Sequence, residues 1–299
     1  MLVQEFRETI EISLARRFGD HGSSIITGVT LQRDVTQFPR TPEVTLIDDF
    51  NELQPFPGPL PGPLAGQLLE SASTRVSLHL GTRRYRYVEY RGIDGLRART
   101  IVSLGLFAGA SVGKGFGTFT PDGVPVVDDL FGRVHASFGA GVGSSLLHGG
   151  FTVESRRDAG SWQDVLADAD LVAYLRNDGL QAHTIFVRAS VAGGWRTRLP
   201  YQLSLGGRQG VRSLAEDRYP GARMMRFLVE DRILFPWPRP GAADLGMTVF
   251  GDLGRVWPGG VPYAVDWGCR APPGVSMRFG HQPRARARTR RRLHRGRVP

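Results

Sequence analysis

The sequence is poor in several residue types, and each shortage excludes a class of protein. Of the 299 residues only Cys269 is a cysteine, which excludes a disulfide framework within the chain and a paired-cysteine metal site. The seven histidines include no closely spaced pair of the kind that binds zinc. We therefore expect no metal site and no cofactor.

Long apolar runs are also missing. No stretch approaches the ~18 apolar residues of a membrane-spanning helix, and the most apolar segment, 101–113, is interrupted by Ser103 and Ser111. The first residues lack the basic and then apolar regions of a signal peptide. A membrane protein with this sequence would cross the bilayer with strands, and we expect its N-terminus to be truncated.

Acidic residues are absent from the C-terminal end of the chain. The net charge is +10, and ten arginines lie from Arg270 to Pro299. Residues 1–269 hold equal numbers of basic and acidic residues, so the positive charge is weak evidence that the body of the protein binds nucleic acid. We expect residues 281–299 to form a disordered Arg-rich tail.

What the sequence has in abundance is two-residue alternation of apolar with small or polar residues, which is typical of strands. The alternating segments run for about ten residues, longer than the ~5–6 of a globular strand and close to the ~9–11 of a tilted membrane strand. Segment 162–177 fits both strand and helix spacing, and we interpret it as a strand. The clearest alternations start at Ile10, Ile25, Val76, Val102, Val134 and Ile185.

Periodicity alone does not separate a membrane barrel from a soluble β-sandwich, whose strands alternate as well. The connections favour the barrel. Those at 19–22 and 92–95 are short, whereas the proline-rich stretch 38–73 and the stretch 115–132 are long, an asymmetry typical of outer-membrane barrels. We predict an all-β fold over residues 1–280, an incomplete antiparallel transmembrane β-barrel of about ten to twelve strands.

Four segments in the last third of the chain follow a known pattern. They are Leu205–Leu214 (LGGRQGVRSL), Arg223–Ile233 (RMMRFLVEDRI), Phe250–Trp257 (FGDLGRVW) and Gly274–Gly280 (GVSMRFG). Their order resembles the C-terminal barrel of the bacterial surface antigen family, which includes outer-membrane assembly and two-partner-secretion barrels. In that family a Gly-Gly segment leads into a lid loop with Arg-Gly-aromatic, a strand ending in Glu-x-Arg follows, and Phe-x-Asp-x-Gly-x-x-Trp comes next.

The resemblance implies that Arg212 folds into the barrel lumen and meets Glu230 and Asp252 on the following strands. A guanidinium in a narrow lumen needs a carboxylate partner to offset its desolvation. Ser213 and Leu214 stand where the family has glycine and an aromatic residue. The implied lid and lumen motif consists of Gly206, Gly207, Val211, Arg212, Glu230, Arg232, Asp252 and Gly254.

The same resemblance implies a function in the bacterial outer membrane, the insertion or translocation of proteins. The partners would be outer-membrane lipid and unfolded or secreted proteins, and not nucleic acid. The family's barrels end on a strand with a terminal aromatic, which residues 281–299 lack, so we interpret this tail as an out-of-frame reading of the last strand. The competing interpretation is a soluble β-rich protein whose tail is a basic nucleic-acid- or lipid-binding arm.

One stretch matches a catalytic motif. Residues 109–113 follow the G-x-S-x-G pattern around Ser111. A nucleophile elbow needs a sharp strand-to-helix turn, whereas this serine lies inside an alternating run with no helix after it. We therefore predict that the chain is not an enzyme. An outer-membrane hydrolase that uses Ser111 is a third hypothesis.

Overall fold

Every helix or strand assigned in the described part of the chain is a β-strand. The structure, a computed structural model, describes residues 2–38, 44–47, 53–55, 68, 70–93, 99–119, 121, 123–158, 160–176, 183–198, 201–206, 210–212, 214, 219–239, 243–259, 266 and 268–281. The strands are β1 (Leu2–Val3), β2 (Phe6–Gly19), β3 (Ser23–Gln37), β4 (Val44–Ile47), β5 (Leu53–Pro55), β6 (Ser71–Arg91), β7 (Arg99–Phe116), β8 (Leu130–Val142), β9 (Ser145–Asp158), β10 (Ser161–Leu175), β11 (His183–Trp195), β12 (Leu203–Ser204), β13 (Pro220–Gly221), β14 (Arg223–Arg239), β15 (Ala243–Trp257), β16 (Cys269–Arg270) and β17 (Pro273–His281).

The all-β prediction is confirmed. Residues 162–175 of the ambiguous segment 162–177 lie in β10, a strand as predicted. None of the described residues belongs to a helix with the length and hydropathy of a membrane span. The predicted tail, 281–299, lies outside the described residues except for His281, the last residue of β17.

One large sheet holds all the long strands. Twelve strands form it in the order β16-β15-β14-β11-β10-β9-β8-β7-β6-β3-β2, and β17 also pairs with β15. Its pairings are antiparallel throughout. Within the described residues no ladder joins β2 at one edge to β16 or β17 at the other. The large sheet is thus antiparallel and has the expected number of strands.

Two small sheets accompany the large one, with the orders β1-β4-β5 and β12-β13. The strands β4 and β5 lie inside the proline-rich stretch 38–73 that we predicted to be a loop, and β6 already begins at Ser71. Pro55 ends β5, an edge strand, where a missing amide donor is tolerated. The predicted loop is therefore shorter than expected and is interrupted by strands.

The long strands and their connections match the predicted asymmetry. The strand β6 has 21 residues and β7 has 18, against about 5–6 in a typical globular strand. At one end of the sheet, here called the turn end, short connections at 20–22 and 143–144 join β2 to β3 and β8 to β9. At the opposite end, here called the loop end, 13 residues separate β7 from β8, and β11 and β14 are separated by a longer stretch that holds β12 and β13, whereas β9 and β10 are joined by a short connection.

The two faces of the sheet differ in chemistry. On one face, here called the outer face, apolar residues are direct cross-strand partners, as in the row Leu14, Val29, Leu78 and Val112. Strand alternation puts all of them on the same side of the sheet, and they are exposed. The exposed large apolar residues of this face include Ile10, Ile12, Leu14, Phe18, Ile25, Val29, Leu31, Val76, Leu78, Leu80, Leu106, Val112, Val134, Phe138, Leu147, Phe151, Val153, Leu171, Leu175, Val191, Phe227, Val249 and Val275.

The opposite face, here called the inner face, carries small and polar side chains. A hydrogen-bonded row crosses it: the Ser13 hydroxyl contacts the Thr30 hydroxyl at 2.8 Å, and Thr30 contacts Nε2 of His79 at 2.8 Å. The row continues from Nδ1 of His79 to the Ser111 hydroxyl at 2.8 Å. The polar half of the alternating pattern is therefore satisfied by cross-strand hydrogen bonds on this face.

The sheet curls with its inner face on the concave side. Nη1 of Arg232 on β14 donates to the carbonyl of Ile93, just after β6, at 2.6 Å. Four strands separate β14 from β7 in the sheet, so a flat sheet would hold β14 and β7 roughly 24 Å apart at ~4.8 Å per strand. A polar cavity of about 270 Å³ is lined by both Arg7 on β2 and Asp164 on β10. Only a strongly curved sheet brings these strands to one cavity.

Candidate functional site

The segment after β12 folds back over the inner face at the loop end. The amide of Val211 donates to the carbonyl of Leu205 at 2.8 Å, and that of Leu214 to the carbonyl of Val211 at 3.1 Å. A Cβ on Gly210 would lie 2.0 Å from the Leu205 carbonyl oxygen, so this close turn requires glycine. We call the described residues 203–206, 210–212 and 214 the lid segment.

The lid segment is anchored by apolar contacts. Leu205 and Val211 are fully buried and form a cluster with Met224 and Val256. Beneath them lies Gly254, where a Cβ would stand 2.5 Å from Cδ1 of Leu205. The glycine in the Phe-x-Asp-x-Gly pattern thus leaves the space that the anchor fills.

Arg212 stands next to this anchor and reaches two strands. Its Nε and Nη2 donate to the two carboxylate oxygens of Asp252 on β15 at 2.9 and 2.6 Å, and its Nη1 donates to Oε1 of Glu230 on β14 at 2.6 Å. Its guanidinium carbon lies 3.7 Å from the centroid of the Phe250 ring. Both carboxylates are buried, Glu230 being 4% and Asp252 3% exposed. The positive guanidinium therefore offsets the free-energy cost of burying their negative charges.

A second arginine completes the charge balance. Nε of Arg232 donates to Oε2 of Glu230 at 2.7 Å, while its guanidinium carbon lies 4.4 Å from the centroid of the Phe186 ring. Two guanidinium groups therefore face two carboxylates. We call Arg212, Glu230, Arg232 and Asp252 the lid cluster.

The electrostatics of the lid cluster favour the charged form of Arg212. Its pKa is raised above the ordinary value, chiefly because the side chain donates to Asp252, while partial burial acts in the opposite direction. The negative charges of Asp252 and Glu230 add to the increase. The lid segment is therefore tethered by a permanent cation.

The structure brings together most of the residues that the family resemblance assigned to the lid. Val211 belongs to the apolar anchor, Gly254 lies beneath it, and Gly206 belongs to the lid segment. Gly207 and Ser213 lie outside the described residues. The contact of Arg212 with both Glu230 and Asp252 is present as the resemblance implied.

A second arginine–carboxylate group escaped the sequence reasoning. Asp129, fully buried just before β8, accepts from Nη2 of Arg75 on β6 at 2.8 Å and lies 3.8 Å from Nε of Arg156 on β9. The Arg75 guanidinium carbon lies 4.9 Å from the centroid of the Phe131 ring. We call Arg75, Asp129 and Arg156 the Asp129 cluster. No motif joins these residues in sequence, and only the register of β6 to β9 brings them together.

The described residues give limited support to a catalytic site or a metal site. Ser111 and His79 are within hydrogen-bond distance, as a nucleophile and its base would be. The other ring nitrogen of His79, however, contacts the hydroxyl of Thr30 and not a carboxylate. In the part of the chain that the structure describes, no group of three metal-ligating side chains converges.

Together the sheet and the lid cluster define an all-β protein: a curved antiparallel sheet, apolar outside and polar inside, with a loop segment clamped to its inner face. No family model, no curated protein and no solved structure matches the chain.

Proposed function

We propose that this chain is an outer-membrane β-barrel domain whose outer face contacts lipid. The proposal rests chiefly on the outer face, where apolar side chains are exposed on every long strand and form rows across the sheet. Monomeric soluble proteins rarely expose apolar patches beyond a few hundred Å², whereas a lipid-facing barrel surface requires them. The polar inner face, the length of the strands and the curl of the sheet support the same proposal.

We further propose that the barrel acts in the insertion or translocation of proteins, as the resemblance to the surface antigen family implies. Two features support this function. The lid segment carries a permanent cation onto the inner face, and its partners are the two carboxylates of the Glu-x-Arg and Phe-x-Asp segments. The partners of the barrel are then outer-membrane lipid and unfolded or secreted proteins.

Membrane insertion is tested first. The purified full chain is refolded from urea into phosphatidylcholine vesicles and, in parallel, into plain buffer. We expect vesicle-dependent protease protection and a heat-sensitive shift in electrophoretic mobility, because the outer face needs lipid. A folded monomer in buffer that leaves vesicles untouched would overturn the proposal and favour the soluble protein with a basic arm.

The insertion or translocation activity is tested on the vesicles that carry the chain. The readout is the folding rate of a separate small outer-membrane barrel protein added in urea. We expect faster folding than in empty vesicles. The matched control is an equal amount of an unrelated barrel in the vesicles, and equal rates would contradict an assembly role.

The hydrolase hypothesis rests on the contact between Ser111 and His79. Esters of short and long fatty acids are the substrates that test it. Hydrolysis that is lost in Ser111→Ala would support this alternative, and hydrolysis that is absent, or unchanged in the variant, would remove it.

A further inference from the structure

The outer face has a hollow of about 370 Å³ over β10, β11, β14 and β15. Ala169 and Ala189 line it, with the larger side chains of Leu171, Val191 and Phe227 beside them. An alanine extends less far from the sheet than its leucine, valine and phenylalanine neighbours, so the alanines form the floor and the larger residues form the walls. The walls are exposed: 44% of Leu171 and 54% of Val191.

The hollow runs across the strands. Ala189 on β11 pairs with Phe227 on β14, which pairs with Leu253 on β15, and Val191 pairs with Met225 in the neighbouring row. Four adjacent strands span roughly 14 Å at ~4.8 Å per strand. An open apolar trough of this length suits a hydrocarbon chain lying against the sheet.

Arginine and tryptophan border the hollow on the side of the loop end. Arg223 precedes Met225 by two residues on β14 and lies on the same face, about 7 Å further along the strand. Its guanidinium carbon stands 5.2 Å from the ring centroid of Trp195, and Arg255 stands 5.0 Å from Trp257. Tryptophan and arginine at this level are typical of the boundary between the hydrocarbon core and the headgroups.

The charge of this border is positive. Arg255 is paired with Asp266 at 2.7 Å. Arg223 is exposed, and none of the ion pairs among the described residues includes it. On the same face of β14 the next carboxylate is Asp231, eight residues away, where it contacts Nδ1 of His183. Among the described residues this guanidinium therefore has no anionic partner, and it stands at one end of an apolar trough.

We propose that this surface binds one anionic phospholipid, with an acyl chain in the hollow and the phosphate on Arg223. The site rests on the proposed membrane insertion. A guanidinium donates two parallel N–H groups to phosphate oxygens. The acyl chain packs in the hollow instead of among the acyl chains of the bulk lipid. Charge complementarity selects an anionic headgroup over a zwitterionic one, because the latter brings its own cation to Arg223.

The test uses the full chain in phosphatidylcholine vesicles that contain a trace of spin-labelled phosphatidylglycerol or spin-labelled phosphatidylcholine with the same acyl chains. The readout is the ratio of immobilised to mobile label. We expect the wild-type chain to prefer phosphatidylglycerol roughly fivefold, from the contribution of one arginine near an anionic lipid. Arg223→Gln should abolish the preference, and Ala189→Phe, which fills the hollow, should release the immobilised chain.

Two variants serve as matched controls. Arg16→Gln removes an exposed arginine that lies over Phe18 near the turn end, and Ala110→Phe adds the same bulk to the outer face on β7, away from the hollow. Both should keep the wild-type preference. If the chain inserts and Arg223→Gln retains the preference, the lipid site is wrong while the proposed function stands. If the chain does not insert, the proposed function fails and the lipid site fails with it.

Discussion

The lid cluster and the Asp129 cluster each pair a charged loop residue with oppositely charged residues on the strands, and the sign of the loop residue differs between them. In the lid cluster the loop brings the cation, Arg212, and the strands supply the carboxylates. In the Asp129 cluster the loop brings the anion, and the strands supply Arg75 and Arg156. In each cluster an arginine also lies over a phenylalanine ring, that of Phe250 or Phe131.

The comparison shows that a loop charge of either sign can be held against the inner face, provided that the strands supply the opposite charge. A lone buried charge is strongly unfavourable, whereas a paired one is close to neutral. The two clusters differ in redundancy: Arg212 has two carboxylates, while among the described residues Arg75 has Asp129 alone. The Asp129 cluster is therefore the more fragile.

The largest expected effect follows from this difference. Asp129→Asn removes the one carboxylate that pairs with Arg75 among the described residues, whereas Arg156 keeps the attraction of Asp164 and Glu154. It should destabilise the protein by about 3–5 kcal/mol. Urea unfolding of the refolded protein measures it. The matched control is Asp128→Asn, which removes the adjacent exposed partner of Lys114 and should change stability by less than about 1 kcal/mol. Equal effects of the two variants would refute the comparison.

Arg212→Lys is expected to have the next largest effect. An ammonium group keeps the charge but cannot donate to both oxygens of Asp252 and to Glu230 at once. We expect a loss of about 2–3 kcal/mol in lid attachment, visible as faster protease cleavage between β12 and β14. Arg17→Lys, an exposed arginine on β2, should cleave like the wild type, and unchanged lid protection in Arg212→Lys would show that the apolar anchor alone holds the lid.

Gly254→Ala separates the anchor from the charges. The added methyl group would stand 2.5 Å from Leu205 and 2.8 Å from Val211, so the lid segment must shift, at an expected loss of about 1–3 kcal/mol in stability. Gly251→Ala on the same strand meets no atom within 4 Å and should leave stability nearly unchanged. The pair is measured by urea unfolding and lid proteolysis, and equal behaviour of the two variants would contradict the packing of the lid over Gly254.

The smallest expected effect concerns Asp20, whose carboxylate accepts hydrogen bonds from backbone amides instead of from an arginine. Asp20, in the β2–β3 turn, accepts from the amides of Ser23 and Gly22 at 2.6 and 2.8 Å, and these hydrogen bonds lower its pKa below 3.8. Because the folded pKa is depressed, its stabilisation is present above pH 3.8 and is lost as the pH falls through the folded value. The protection factors of the turn amides, which correct for the pH dependence of intrinsic exchange, should therefore fall only below pH 3.8. The variant Asp20→Asn should show no such acid transition, and a wild-type turn that loosens already at neutral pH would contradict this assignment.

The contacts of Arg212 were implied by the family resemblance, in which Arg212, Glu230 and Asp252 each lie in a segment of the motif order. The need of a desolvated guanidinium for a carboxylate partner is consistent with those contacts but does not by itself select the partners. The Asp129 cluster could not be predicted in this way. Arg75 and Asp129 are 54 residues apart, and their meeting depends on how the β7–β8 connection folds back over β6.

The same limit applies to the outer face. Alternation in single segments predicted strands with one apolar side, but the register decides which apolar residues become neighbours. Whether Ala189 lies beside Phe227 or one residue away depends on the pairing of β11 with β14, and a shift of one residue would turn the side chains of one strand to the other face. The hollow and its bordering arginine are properties of that register.

The sequence by itself determined the strand character of the chain, the side of each strand that is apolar, and the difference in connection length between the turn end and the loop end. These features follow from local alternation and from the spacing of the alternating segments. The tertiary structure decided the curl of the sheet, the closing of the lid segment on Gly254 and the pairing of Asp129 with two arginines. The physical reason is distance along the chain: steric and hydrophobic periodicity act between neighbours, whereas charge balance and packing join residues that only the folded sheet brings together.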